Sequence, residues 1–291
     1  MMNTFNLTRR GFIACAAANS VTAPLVARER KVDESSLAGR VKKAVKFHMV
    51  NEDLSVHDKF LLLKDLGFDG VEPRAAVAAD QKQFVRDLAS ATEKTGLPIH
   101  GVVHSSKPNI EDAIDQARHL GADSVLHVVR YDRKISYQEN HQNTSAILRR
   151  GAAHAEKQKV RILIENVWAT FLIEPTAMRD YVDAIQSDWV QVYFDVGNVV
   201  RWGWPQHWIE VLGRRIRKLD IKEYDLNVAM NDGMRKGFSV PIGEGSVEWP
   251  KVRTELLKID FRGWATAEVK GGDRARLAEI RKQMDRVVTN A

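Results

Sequence analysis

Short apolar runs alternate with longer amphipathic segments along the chain from about Val41 onward. The short runs are rich in β-branched residues and predict strands at 44–50, 68–72, 99–104, 124–129, 160–165, 190–195, 216–222 and 263–268. The longer segments predict helices at about 61–66, 80–95, 110–120, 137–158, 175–187, 205–213, 248–258 and 273–288. Gly67 directly follows a helix-like segment and predicts the end of that helix.

Regular alternation of strands and helices predicts a parallel sheet covered by helices. Eight such units are the number that closes a (β/α)8 TIM barrel, and strands buried on both faces explain the nearly continuous apolar runs. An open, doubly wound sheet is the alternative, but it normally has a glycine-rich loop after its first strand. The residues there, 49–52, contain no glycine. We therefore predict one barrel domain over residues 41–288.

The composition excludes some classes of protein but does not identify the function. A chain of 291 residues is long enough to bury a large core without disulfides. Its single cysteine, Cys15, excludes a disulfide framework and a cysteine-based zinc site in the barrel. The net charge of +6 is spread over a mixed surface, and no Lys/Arg run resembles a nucleic-acid-binding arm. We expect no nucleic-acid partner.

The first 30 residues resemble an export signal. Residues 8–13 read Thr-Arg-Arg-Gly-Phe-Ile, a twin-arginine pattern, and a short apolar stretch ends before Asn19. Small residues follow, with a candidate cleavage site near Ala27. We predict a periplasmic or secreted protein; a chance arginine pair would leave the protein in the cytoplasm. No other stretch approaches the apolar length of a membrane span, so none is predicted.

Polar side chains gather where the predicted strands end. The C-terminal ends of barrel strands carry the active site in this fold, so these side chains are expected to converge. They are His48, Glu72, His104, Glu165, Asp195, Asp220, Lys222 and Glu268. Several carboxylates at one place repel one another unless a cation joins them. Oxygen ligands favour Mn²⁺ or Mg²⁺, and Zn²⁺ or Co²⁺ would fit if an imidazole took part.

Some of these positions have a plainer interpretation. Glu72 could be a helix cap or an ion-pair partner as readily as a substrate contact. His48 and His104 could simply line a pocket wall, and His127 is expected in the core. Arg201 follows the sixth strand on the same rim and is predicted to contact substrate, since arginine binds hydroxyls and anions.

At these residues the chain resembles the sugar phosphate isomerase/epimerase superfamily, the xylose-isomerase-like barrels. The resemblance covers roughly residues 41–288. The segments that carry it are Leu66–Glu72, Ile164–Asn166, Phe194–Asn198, Lys218–Glu223, Ile242–Gly245, Val247–Trp249 and Gly263–Glu268. Any one of these segments is a weak signal, whereas their order and spacing together are fairly specific.

The resemblance implies metal ligands at the ends of strands five to eight. Glu165, Asp195 and Glu268 match ligands of the family. Asp220 stands where the family usually has a histidine, and Asn198 stands where sugar 3-epimerases of the family have one. Both departures weaken the transfer of a 3-epimerase activity. The more anionic site that results favours a harder ion such as Mg²⁺ or Mn²⁺.

The resemblance also implies a mechanism for a small carbohydrate substrate. Glu165 and Glu268 are expected both to bind the metal and to exchange protons at carbon atoms beside a carbonyl, while Asp195 and Asp220 only hold the ion. Lys222 would hold a hydroxyl or enediolate oxygen, and His104 could be a further acid. The predicted substrate-binding residues are His48, Glu72, His104, Asn198, Arg201 and Lys222.

The sequence alone leaves three rival functions open. A lyase that cleaves 3-keto-glycosides by β-elimination would use the same proton abstraction. A zinc endonuclease of the same fold would need more histidine ligands than the strand ends provide. A non-catalytic sugar-binding barrel would bind without turnover. The sequence also leaves open whether the protein is a homo-oligomer.

Overall fold

Eight parallel strands alternate with helices in the order that the apolar runs predict. The computed structural model describes residues 36–76, 78–105, 109–168 and 171–290; the predicted signal, residues 1–30, lies outside them. The strands are β1 Val41–Lys46, β2 Gly70–Glu72, β3 Val102–Ser105, β4 Ser124–His127, β5 Arg161–Glu165, β6 Val190–Asp195, β7 Ile216–Ile221 and β8 Gly263–Ala267. The helices are α1 Val56–Asp65, α2 Lys82–Thr95, α3 Glu111–His119, α4 Tyr137–Gln158, α5 Pro175–Asp183, α6 Pro205–Leu212, α7 Leu226–Asp232, α8 Trp249–Lys258 and α9 Arg274–Met284.

The strands form one sheet that curls into a barrel. Their order is β2-β1-β8-β7-β6-β5-β4-β3, and every ladder is parallel. Between β2 and β3 the contact narrows to isolated bridges, Val71 with Ile99 and Arg74 with Val103. The predicted (β/α)8 TIM barrel is thereby confirmed, and all carboxyl ends of the strands point to one mouth.

Local signals set the helix ends. Gly67 has φ of +82°, the left-handed conformation that suits glycine, and it ends the α1 segment as predicted. At the start of α4, the Ser136 hydroxyl accepts a hydrogen bond from the Glu139 amide, and the Glu139 carboxylate accepts one from the Ser136 amide. This capping box satisfies two groups at the helix start that would otherwise lack partners.

The differences from the prediction include two strand ends and one additional helix. β1 ends at Lys46, because Phe47–Met49 turns into a 3₁₀ helix whose Phe47 and Met49 still pack into the core. β3 begins at Val102 instead of Ile99, which makes only a single bridge to β2. The helix α7, which the sequence did not predict, lies in the segment after β7 and has Ala229 as its one buried residue.

The core has an outer layer and an inner layer. Most buried apolar side chains lie between the strands and the surrounding helices. Inside the barrel a small apolar cluster of Leu126, Val128, Leu163 and Tyr193 is accompanied by buried polar groups, including Lys46, His100 and Lys218. Burying polar groups is unfavourable unless they pair with one another. We therefore expect the polar groups inside the barrel to form a functional site or a hydrogen-bonded network.

Candidate metal centre and active site

Four carboxylates meet at the carboxyl mouth of the barrel. Glu165 and Asp195 are the last residues of β5 and β6, Asp220 is the penultimate residue of β7, and Glu268 directly follows β8. Each offers one oxygen, and these four oxygens all lie within 4.8 Å of one another. The structure thus brings together all four side chains that the sequence predicted as metal ligands.

Asparagines and a glycine hold two of these acids in place. The Asn166 side chain donates to the carbonyl of Asp195 and accepts from its amide, both at 2.8 Å. The Asn198 amide donates to Asp195 Oδ1 at 2.9 Å, and its side chain lies 3.4 Å from Glu165 Oε1. A Cβ at Gly197 would lie 2.8 Å from the carbonyl oxygen of Lys222, so only glycine allows this close approach.

Two lysines enter the same cluster. Lys222 Nζ lies 2.8 Å from Asp195 Oδ2 and 3.3 Å from Glu268 Oε2. Lys46 Nζ, which the sequence analysis missed, lies 2.9 Å from Asp220 Oδ1 and 2.5 Å from Glu72 Oε2. The signal that could have found Lys46 is its place at the end of an apolar strand, directly opposite Glu72 in the ladder.

The donor set fits a divalent cation. Five carboxylates, counting Glu72, face two ammonium groups, so negative charge is in excess. Asp195 Oδ2, Asp220 Oδ1 and Glu268 Oε2 each face one lysine ammonium. Asp220 Oδ2 is buried and makes no hydrogen bond with the described residues. Buried acceptors without donors are unfavourable, and a cation bound among these oxygens would satisfy them. The cluster contains no histidine, which favours hard ions.

The two glutamates differ in their electrostatic surroundings. Burial, together with the neighbouring Glu268 charge, raises the pKa of Glu165 to about 8. Burial also opposes ionisation of Glu268, but Lys222 and Lys46 outweigh it and lower the pKa of Glu268 to about 2. One carboxyl of the pair therefore holds a proton more readily than the other, as required of an acid and a base that share one site.

The acids open into a cavity of about 840 Å³. Glu165 and Glu268 line it, whereas Asp195 and Asp220 lie beneath it and are fully buried. Four of the predicted substrate-binding residues line the same cavity: His48, His104, Asn198 and Lys222. His127 is buried behind His104, with ring centroids 5.9 Å apart, which confirms its predicted place in the core.

The other two predicted substrate-binding residues lie elsewhere. Glu72 is fully buried below the cavity, where its carboxylate pairs with Lys46 and accepts a hydrogen bond from the Tyr193 hydroxyl at 3.1 Å. Arg201 lines a neighbouring cavity of about 330 Å³, together with the exposed indoles of Trp202 and Trp204.

The rim of the main cavity includes groups that sequence analysis did not single out. Trp168 and Phe238 contribute aromatic surface, with ring centroids 5.1 Å apart. Three exposed arginines, Arg74, Arg130 and Arg235, add positive charge. They come from three separate loops, so no local motif joins them in the sequence. A cavity with acids at its floor and arginines at its rim can hold a cation and an anionic group at once.

Glu223 fixes the segment after β7 that supplies Arg235 and Phe238. Its carboxylate accepts hydrogen bonds from the amides of Gly243 and Val247 at 2.8 and 3.2 Å, and from the Trp249 indole at 2.8 Å. Gly243 and Val247 both belong to the segment that follows β7. Its amides are held by a buried carboxylate, so the segment is anchored to the end of β7.

A chain of polar side chains runs through the barrel below the acids. Lys218 Nζ lies 3.1 Å from His100 Nδ1, and His100 Nε2 lies 3.1 Å from the Thr266 hydroxyl. That hydroxyl lies 2.8 Å from the Tyr193 hydroxyl, which donates to Glu72. Burial and the charge of Lys218 hold the pKa of His100 well below its usual value, so its ring is neutral. The network gives the buried side chains of Lys218, His100, Thr266 and Tyr193 hydrogen-bond partners.

Over the part of the chain that the structure describes, no helix combines the length and apolar character of a membrane span.

Comparison with known proteins agrees with this architecture. The Escherichia coli (strain K12) protein named "Putative L-ribulose-5-phosphate 3-epimerase" is 25% identical over 242 residues, which are 73% of this chain and 82% of that protein.

Two solved structures share the fold. A D-allulose 3-epimerase from Methylomonas sp., in complex with D-allulose, has a TM-score of 0.68 at 15% identity and covers 86% of this chain and 97% of its own. A protein crystallised with a zinc atom has a TM-score of 0.72 at 15% identity, with 85% and 98% covered. The family model described as a xylose isomerase-like TIM barrel matches residues 60–288. The chain therefore belongs to the xylose isomerase-like TIM barrel family.

Proposed function

We propose that this protein is a divalent-metal-dependent enzyme that epimerises or isomerises a sugar by proton transfer beside a carbonyl. The observation that carries the proposal is the convergence of Glu165 and Glu268 with Asp195 and Asp220 at the floor of one cavity. Proton abstraction beside a carbonyl requires a base, an acid and a group that stabilises the resulting enediolate. The floor of this cavity offers all three.

Each side chain of the site has its own role in the proposed reaction. Asp195 and Asp220, buried beneath the cavity, hold the cation and do not reach the substrate. Glu165 and Glu268 take a proton from one face of the substrate carbon and return it on the other. Lys222, whose ammonium lies between Asp195 and Glu268, donates to a substrate oxygen on which negative charge develops. When bound, a divalent cation polarises the carbonyl and adjacent hydroxyl of the sugar. The ions we propose first are Mn²⁺ and Mg²⁺.

The rim supports a sugar that carries an anionic group. Arg74, Arg130 and Arg235 line the same cavity as the two glutamates. Arginine binds phosphate and carboxylate in a bidentate manner. A phosphorylated pentulose, the substrate class in the name of the Escherichia coli relative, is consistent with this rim. A comparison of phosphorylated and free ketosugars as substrates, in wild type and in Arg74→Gln, tests this part of the proposal.

A second candidate is β-elimination from a 3-keto-glycoside. Two observations favour it. Asn198 stands where sugar 3-epimerases of the family have a histidine. A second cavity, lined by Trp202 and Trp204, adjoins the first through Trp168 and Trp202. Exposed indoles provide a surface for an aglycone or a second sugar ring. The first step is the same proton abstraction, and only the fate of the enediolate differs.

Proton NMR in D₂O tests the proposal with Mg²⁺-loaded protein and a panel of free, phosphorylated and glycosidic ketosugars. An epimerase or isomerase incorporates deuterium beside the carbonyl, whereas a lyase releases an aglycone. Glu165→Gln and Glu268→Gln should each slow either reaction by about 10²-fold or more. Glu244→Gln, an exposed glutamate after β7, is the matched control and should keep full rate. Near-normal rates in both variants would refute the assignment, and sugar binding without exchange or cleavage would favour a binding protein.

A further inference from the structure

The opposite mouth of the barrel contains a further, strongly basic cavity. It measures about 390 Å³ and is built from the amino-terminal starts of β1, β4, β5, β7 and β8 together with residues of the adjoining loops. Its cationic lining residues are Arg40, Lys42, Arg161, Arg217, Lys218 and Arg262. Among the described lining residues, Asp123 is the single carboxylate. The barrel separates this cavity from the acidic cluster at the carboxyl mouth.

Only part of this positive charge is neutralised. Arg40 and Arg262 share Asp260, at 2.6 and 3.4 Å, and Lys218 pairs with Asp123 at 2.6 Å. Lys42, Arg161 and Arg217 form no ion pair with any carboxylate in the described ranges. Three cations thus face one cavity without a direct ion-pair partner among the described residues, although the charge of Asp188 also acts on Arg217.

Two buried donors that line the cavity also lack partners. The Ser124 hydroxyl belongs to a residue that is 1% exposed, and it makes no hydrogen bond with the described residues. Arg161 Nε is likewise buried and unpaired, while its guanidinium lies 5.2 Å from the Trp189 ring centroid. A buried donor without an acceptor is unfavourable, so both groups are suited to an acceptor that enters the cavity.

Compensation of helix dipoles does not explain all the cations of this cavity. Cations near helix carboxyl ends are common at this mouth of a barrel, because they offset the helix dipoles. Arg161 and Arg217, however, belong to strands. Burial and the neighbouring Arg161 lower the pKa of the Arg217 guanidinium below its usual value. An anion between the two guanidinium groups would relieve this repulsion.

We propose that this cavity binds a small phosphate-bearing molecule through Lys42, Arg161 and Arg217, with Ser124 as a further donor. Three cations without an ion-pair partner match a dianionic or trianionic group, and the volume lies in the range of small-molecule sites. The Trp264 ring in the wall is already covered by the His100 ring at 4.4 Å and by the Lys42 ammonium at 5.2 Å. Recognition therefore rests on phosphate oxygens and not on stacking of a base. The proposal is independent of the sugar chemistry at the other mouth.

The test uses the full chain with ¹⁵N-labelled tryptophan, in low-salt buffer freed of divalent cations, titrated with inorganic pyrophosphate. The Trp264 indole signal, assigned with Trp264→Phe, reports on this cavity, and the Trp168 signal reports on the carboxyl mouth. We expect the Trp264 signal to shift with saturation. Arg161→Gln and Arg217→Gln should each weaken this binding about tenfold, the loss of one charge-assisted contact.

Two controls separate this site from general attraction of anions. Arg214→Gln removes an exposed arginine that lies outside the cavity and should leave the affinity unchanged. Arg74→Gln at the other mouth should also leave the Trp264 titration unchanged. A Trp264 signal that does not shift, or a shift that survives both cavity variants, would overturn the proposal. Tighter binding of a single-stranded RNA oligonucleotide than of pyrophosphate would overturn it too, in favour of a nucleic-acid surface.

Discussion

Lys46 Nζ lies 2.9 Å from Asp220 Oδ1, and both side chains are hidden from solvent inside the barrel. The same ammonium lies 2.5 Å from Glu72 Oε2. Burial by itself would lower the pKa of this lysine, but Asp220 and Glu72 outweigh burial and raise the pKa well above its usual value. The lysine is therefore a fixed positive charge below the acidic cluster, and it offsets part of the repulsion among the carboxylates.

Replacement of Lys46 by methionine should destabilise the protein strongly. The variant leaves Glu72 and Asp220 buried without their cation, and loss of one partner of a buried pair costs about 3 to 5 kcal/mol. Urea unfolding of the metal-free protein measures the change. Lys42→Met, an exposed lysine of the same strand, should change the free energy of unfolding by no more than about 0.5 kcal/mol. Equal effects of the two variants would show that the buried pair is not what stabilises the cluster.

Asp220→His should alter metal selectivity. An imidazole replaces one hard oxygen ligand, and imidazole favours Zn²⁺ and Co²⁺ over Mg²⁺ and Mn²⁺. We expect the affinity for Zn²⁺ relative to Mn²⁺ to rise about tenfold. This is the lower end of the changes in metal affinity that follow mutation of the groups supporting metal ligands. Competition titration of the two ions with wild type and variant measures the ratio. An unchanged ratio would mean that residue 220 does not contact the ion.

The fold was predictable because local signals and burial agree over most of the chain. Apolar strand runs and the glycine at position 67 gave the barrel and a helix end correctly. The prediction was wrong where the burial of side chains does not follow the sequence repeat of a helix or a strand. Phe47 and Met49 extend the apolar run of β1, although the chain has already turned there. In helix α7 the apolar residues Leu226, Ala229 and Met230 have helical spacing, but the helix has only seven residues, too few for the pattern to stand out, and it leaves Leu226 and Met230 exposed.

The site residues at the ends of apolar strands could be predicted from the sequence. The site residues whose position depends on the pairing register of two strands could not. Glu165 and Asp195 end apolar strands, and a parallel barrel brings all such ends together. Lys46 reads as a surface lysine in sequence, because its burial follows only from the ladder that sets it beside Glu72. The rim arginines were missed for a similar reason, since three separate loops bring them together.

Glu223→Gln should loosen the segment after β7. The amide group of glutamine would face backbone and indole donors that now bind a carboxylate. We expect a loss of about 1.5 to 3 kcal/mol in stability. Hydrogen exchange should also be faster in residues 224–247, which include Arg235 and Phe238 of the cavity rim. Glu244→Gln in the same segment is the control, and equal exchange in the two variants would contradict the anchoring role of Glu223.

Acid should destabilise the protein partly through His127. Burial and the neighbouring His104 lower the pKa of His127 to about 3 in the folded protein, against an ordinary value of about 6.5. The unfolded chain therefore binds a proton between these values while the folded protein does not. The stabilisation is complete above about pH 6.5 and is lost toward pH 3, by about 1.4 kcal/mol per pH unit.

Unfolding by urea at pH 7, 6 and 5 measures this contribution. The pH dependence in His127→Leu should be shallower than in wild type by the amount given above. His119→Leu, at an exposed position of α3, is the control for loss of a histidine as such. Parallel pH profiles for wild type and His127→Leu would show that this histidine is protonated equally in both states.

Manganese titration followed by electron paramagnetic resonance tests the metal centre most directly. We expect the wild-type chain to bind one Mn²⁺ ion at the acidic cluster. Asp195→Asn and Glu165→Gln should each weaken that binding by about tenfold or more, while Glu244→Gln binds as wild type does. Absence of a saturable Mn²⁺ site in the wild type, or a site that keeps its affinity in both variants, would contradict the claim that these carboxylates share an ion.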